Sequence, residues 1–190
     1  SFPRFLFTIL KSLEDILPIK STDILEAIEE LERTREKIYS GNLTKENTSL
    51  ELAKWIDNIP IVYFPWGLQS ASIRFKNSLQ ENSKLHVITE DVVEACHNGI
   101  VAWEKISNIK PILVRGEDDY VKTIERWEVL KEFFTTKNID FFEIKSVSGS
   151  ILSKIVNLVF LFDYCSIYHA VLNNIDPSPV NPIDFVKKRI

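Results

Sequence analysis

The sequence contains no methionine, only two cysteines and only five glycines, and its apolar runs are short. Cys96 and Cys165 match no metal-ligand spacing, and a chain of 190 residues is large enough to fold without staples. Both are therefore expected as buried or partly buried free thiols in a reducing compartment. The longest apolar run, Ile155 to Leu161, is broken by Asn157 and followed by Asp163. It falls well short of the roughly 18 residues that span a bilayer and reads as part of a core helix, so no membrane partner is expected. Ser1 to Phe7 is apolar but has neither a basic leader nor a small-residue cleavage site, which argues against a secretory signal and for the cytoplasm. With methionine absent even from position 1, the chain is expected to be a processed or excised piece of a longer product.

An excess of positive charge is also missing. The net charge is −4, which provides no field for nucleic acid or anionic lipid, although local Arg and Lys can still hold a small anion. Nor is there a glycine-rich phosphate loop. The turn Trp66-Gly67-Leu68-Gln69-Ser70 could offer backbone N–H groups to a phosphate, but with one glycine it reads as a plain strand-to-helix turn.

What is present is the raw material of a globular domain, 45% hydrophobic and 26% charged. Phe5, Ile9, Leu13, Ile16 and Leu17 recur at helical spacing between Arg4 and Leu17, and Pro18 stops the pattern. A charged helix is expected from Thr22 to Tyr39, a short one from Ser49 to Ile56, and others over Leu68–Asn82 and Tyr120–Thr135. Ile151 to Leu172 should form a long helix that is apolar nearly all round. Buried strands are expected at Ile59–Phe64, near Leu85–Ile88, at Lys110–Arg115 and at Phe141–Ile144, with an irregular segment from Glu90 to Gly99. Strands alternating with helices of this length predict an α/β fold, a three-layer α/β/α sandwich with a mainly parallel sheet. Ligands of such sheets bind beyond the carboxyl ends of the strands, which would put Pro65 to Ser72 at a pocket mouth.

Two segments carry candidate chemistry. One is Arg74-Phe75-Lys76-Asn77-Ser78-Leu79-Gln80-Glu81-Asn82-Ser83-Lys84 and the other is His97-Asn98-Gly99-Ile100-Val101-Ala102-Trp103. On spacing alone Glu81 would be a surface carboxylate paired with Lys84, and His97 a loop histidine. Both segments resemble signatures of the bifunctional phosphoglucose/phosphomannose isomerase family, R-W-K-x-Q-L-N-E-N-x-K and H-N-E-I-V-G-W. Further along, Asp163-Tyr164-Cys165-Ser166-Ile167-Tyr168, Asp176-Pro177-Ser178-Pro179 and Ile183-Asp184-Phe185-Val186-Lys187 resemble that family's ending, and Pro3-Arg4 resembles the pair that follows its first domain. The motifs stand in the same order and cover nearly the whole chain.

The resemblance implies a sugar isomerase (SIS) domain, Rossmann-like, at residues 46–190. Residues 1–45 would then be a helical segment linking it to a missing first SIS domain. It also implies interconversion of glucose 6-phosphate and mannose 6-phosphate with fructose 6-phosphate, without metal or cofactor. Glu81 would move a proton between C1 and C2 through a cis-enediol, and His97 would help open the sugar ring. Arg4 would stabilise the enediolate, Lys187 (or Lys188, one residue on) would stand at the sugar, and Ser178 would bind substrate. A homodimer in which His97 crosses to the neighbouring subunit is implied too.

Three residues depart from the pattern: Gly99 stands for Glu, Ala102 for Gly and Phe75 for Trp. The phosphate-cradling residues of the family lie mainly in its first domain. A second reading from another class is a non-catalytic phosphosugar-binding regulatory module on the same fold, and a third is a structural dimerisation domain. His86, placed in a strand, and His169, on an apolar helix, are expected to be structural. Asp163 is expected to serve a hydrogen bond or a cap, and a zinc site built around Cys96 and His97 fits no ligand spacing.

Overall fold

A computed structural model describes residues 2–190. Three helices precede the sheet: α1 (Phe2–Ser12), α2 (Ser21–Ile38) and α3 (Thr48–Trp55). The chain then alternates through β1 (Ile59–Phe64), α4 (Gln69–Ser83), β2 (Ile88–Asp91), α5 (Val92–Ala95), a 3₁₀ turn at Gly99–Glu104, β3 (Ile109–Arg115), α6 (Val121–Thr136), β4 (Phe142–Lys145), α7 (Ile151–Leu172) and α8 (Asn181–Lys187). All strand pairs are parallel, in the order β2-β1-β3-β4, with Ile61 opposite Ile88, Ile59 opposite Ile109 and Ile112 opposite Phe142. The expected three-layer sandwich is the observed one.

Strand alternation divides the core. Val62, Ile112, Val114 and Ile144 point to one face, where they meet Phe75, Leu79, Leu158 and Phe162 from α4 and α7. Ile61, Tyr63 and Leu113 point to the other and meet Val92, Trp127, Leu130 and Phe134. Both faces are covered, as a parallel sheet requires. Outside the first face, α2 lies on α7 through Ala27, Leu152 and Val156. Glu26 accepts from Ser150 N–H and Ser153 Oγ at the start of α7, and these hydrogen bonds hold its carboxyl below the ordinary range.

By length and composition α7 could cross a membrane, but its buried residues include Ser153, Asn157, Ser166 and His169. Each makes a hydrogen bond inside the domain, so α7 is a core helix. Cys165 is buried and Cys96 partly so, both unpaired. His169 is structural as expected: Nε2 meets the carbonyl of Ile56, and burial lowers its pKa.

Three local expectations are corrected. The first helix stops at Ser12 rather than Leu17; the chain continues in turns, and Ile16 is 78% exposed. The second strand begins at Ile88 rather than Leu85. Lys84 takes a left-handed conformation (φ 56°) and Leu85 N–H turns back to Leu79 O, so pairing with β1 starts only afterwards. His86 therefore lies exposed in a connection, not in a strand. Three of the strand's four residues, Thr89-Glu90-Asp91, are polar, which suits the sheet edge it occupies.

Phe162 is fully buried and stacks on Phe75 with ring centroids 4.2 Å apart. Phe162→Ala should lower unfolding free energy by about 3–5 kcal/mol in urea denaturation; a loss below about 1 kcal/mol would show that the α4–α7 seam does not depend on this contact.

Candidate active site

Glu81 lies exposed in the last turn of α4. It borders a groove of about 570 Å³ whose walls are Asn77, Gln80, Glu81 and Lys84 on one side and Pro179 to Ile183 on the other. The α4 wall is fixed from behind. Arg74 donates to both oxygens of Asp163 on α7 at 3.2 and 3.1 Å, Ser78 Oγ donates to the same carboxylate at 2.6 Å, and Asn82 and Ser83 reach Ser166 Oγ and O, each at 2.8 Å. Asp163 thus fills the hydrogen-bonding role expected of it.

Lys84 does not pair with the Glu81 carboxylate. Its Nζ donates to main-chain oxygens instead, those of Glu81 at 2.6 Å, Pro179 at 2.8 Å and Pro177 at 3.4 Å. Among the described residues no cation lies within salt-bridge distance of Glu81. Lys84 closes the Arg74–Lys84 segment and lines the groove beside Glu81.

This groove lies at the other edge of the sheet from the Pro65–Ser72 turn. Because α4 runs back against β1, its last turn lies at the amino edge of the strands, opposite the Pro65–Ser72 turn. Trp66 in that turn is 93% exposed, and Gly67 (φ 93°) serves the strand-to-helix turn.

His97 is elsewhere. It follows α5, which starts where β2 ends, at the carboxyl edge and on the face that α5 shares with α6. It is exposed and does not border the Glu81 groove. Beneath its turn lies Glu90, whose carboxyl is raised by burial and then by the charges of Glu94 and Asp91. Close by, Trp103 Nε1 donates to the hydroxyl of Tyr63 at 3.0 Å, and burial raises that phenol well above its ordinary pKa. Phe75 is a core residue, and Ala102 is exposed.

Of the other candidates, Arg4 and Ser178 lie on segments that touch α4. Phe2 sits under the Arg74 guanidinium at 5.1 Å, which brings the first turn of α1, and exposed Arg4 with it, against the middle of α4. Ser178 is exposed in a turn closed by its own N–H on Asp176 Oδ1 at 2.9 Å, and Lys187 ends α8, also exposed. None of the three lines the groove itself.

A parallel four-stranded sheet with helices on both faces places the domain in the α/β/α sandwich class. Residues 45–190 match the bacterial phospho-glucose isomerase C-terminal SIS domain, and the chain belongs to that family. A bifunctional phosphoglucose/phosphomannose isomerase of Caldicellulosiruptor bescii is 28% identical over 175 residues, covering 88% of this chain and 51% of that protein. One from Aquifex aeolicus is 26% identical over 166 residues, covering 85% and 52%. The chain therefore spans about half the length of these relatives. A glucose-6-phosphate isomerase like protein of Thermus thermophilus shares the fold, with a TM-score of 0.68 at 14% identity over 82% of this chain and 54% of that one.

A Cβ on Gly99 would lie 2.6 Å from Glu90 Oε2, so the departure at this position leaves room for the Glu90 carboxylate. Gly99→Glu should displace it and add a like charge, costing about 1 kcal/mol at pH 7 because exposure screens the repulsion. A carboxyl whose folded pKa is raised destabilises above that pKa and ceases to do so below its unfolded one, so the cost should shrink as pH falls from 7 toward 4. Equal or greater stability of the variant at pH 7, by chemical denaturation, would contradict this reading of the Glu90 site.

Proposed function

We propose that the protein is a phosphosugar aldose–ketose isomerase that interconverts glucose 6-phosphate or mannose 6-phosphate with fructose 6-phosphate, and that this chain is its C-terminal SIS domain. The observation that carries the reading is Glu81, a carboxylate on a groove wall with no cation claiming it, in a chain of the phospho-glucose isomerase C-terminal SIS family. Aldose–ketose conversion needs one base that takes a proton from C2 and returns it to C1 of a cis-enediol, or the reverse, and a single carboxylate does both. Arg4, on the same face, would stabilise negative charge on the enediolate oxygens. Lys187 and Ser178 lie on the segment that forms the opposite wall, where they would hold the sugar.

His97 would assist ring opening in the active site of a neighbouring subunit. Its place at the opposite sheet edge and on the opposite face from Glu81 supports this arrangement, since one chain does not bring the two together. A symmetric homodimer supplies the second copy. The N-terminal helices α1 and α2 would link to a first SIS domain, which supplies the phosphate cradle; the half-length match to the relatives supports that division.

In the full-length protein, Glu81→Gln should reduce conversion of fructose 6-phosphate to both aldose phosphates by about 10²–10⁴-fold in a coupled assay while sugar phosphate binding is retained. Binding without turnover in the unaltered protein would favour a phosphosugar-binding regulatory module instead.

A further inference from the structure

From Asp176 to Ile190 the chain is held to the domain by little. Helix α8 has no buried residue, and every other hydrogen bond made by this segment is internal to it. Among the described residues, the hydrogen bonds that leave the segment are both donated by Lys84 Nζ, to Pro179 O and Pro177 O. The same ammonium also holds the carbonyl of Glu81, so one group joins both walls of the groove. Three main-chain carbonyls satisfy its three N–H donors and leave none for a carboxylate.

The backbone at this position points the same way. Lys84 has φ 56°, the left-handed conformation in which a helix usually ends on glycine, and a lysine there carries a conformational cost that glycine would not. What the Lys84 side chain holds offsets that cost.

We infer that Lys84 is a positioning residue that pins the Asp176–Ile190 segment, with Ser178 and Lys187, against the Glu81 end of α4. The inference deepens the isomerase reading and rests on it for its functional consequence, but the pin itself is a property of the fold. Without the pin, the Pro179–Ile183 wall loses its register with α4, and groups on the two sides no longer converge on one ligand.

Lys84→Gly is the informative variant, because glycine suits the backbone and the domain should unfold at the same temperature or higher. Lys84→Arg is the conservative control that keeps a cation with several donors. By hydrogen exchange on the 190-residue chain, peptides from 176–190 should exchange about 10-fold faster in Lys84→Gly, with the sheet unchanged and Lys84→Arg close to the unaltered chain. In the full-length protein, Lys84→Gly should raise KM for fructose 6-phosphate and lower kcat, with Lys84→Arg restoring much of both.

Unchanged exchange in 176–190 would overturn the inference whatever the turnover, and faster exchange with unaltered kcat and KM would overturn the positioning role. Faster exchange in a protein that turns over no sugar phosphate even when unaltered would leave the pin established and remove the isomerase reading.

Discussion

The seating of α4 on α7 is the interaction on which the rest of this domain depends. Phe75 and Phe162 stack at its centre, and around them Arg74, Ser78, Asn82 and Ser83 spend their polar groups on Asp163 and Ser166. The seam is apolar in the middle and charged at the rim. The rim ion pair is half exposed, so its Coulombic attraction alone contributes little. Its value is geometric, because a bidentate Arg–carboxylate pair admits one rotation of α4 about its axis. With the rotation fixed, Asn82 and Ser83 turn inward to α7, and Glu81 and Lys84 remain outside on the groove wall.

From that placement follows a division of labour across the sheet. The α4–α7 face carries Glu81, Arg4 and the C-terminal segment, and the α5–α6 face carries His97 above Glu90, Tyr63 and Trp103. Half of the proposed chemistry lies at the amino edge of the strands and half at the carboxyl edge. A catalytic arrangement split in this way favours assembly from more than one domain or subunit, with binding energy between them helping to bring the acid–base groups into register.

Elements whose patterns were dictated by burial could be read closely in the sequence. Pro60–Phe64 and the middle of Ile151–Leu172 are apolar because they are buried, and the boundaries of both elements were legible to the residue. The edge strand was not: three of the four residues of Ile88–Asp91 are polar, and only pairing with β1 makes it a strand. Glu81 was singled out as a candidate only through the motif around it, since a carboxylate at a helix end has no distinctive pattern of its own. What the motif did not disclose was the partner of Lys84. Its ammonium bonds carbonyls nearly a hundred residues away, a contact that depends on chain return and leaves no periodicity to detect. The groove beside Glu81 had no signature of its own, because it is built from a helix end and a returning tail.

The most direct test of this account is where a sugar phosphate binds. Fructose 6-phosphate titrated into the isotopically labelled full-length protein should shift backbone amide resonances between Asn77 and Lys84 and at Val180, Asn181 and Ile183, the two walls of one groove. Shifts centred instead on the separate hollow between Trp103–Lys110 and Lys137–Asp140, or none at saturating sugar phosphate, would contradict the claim that Glu81 faces the substrate.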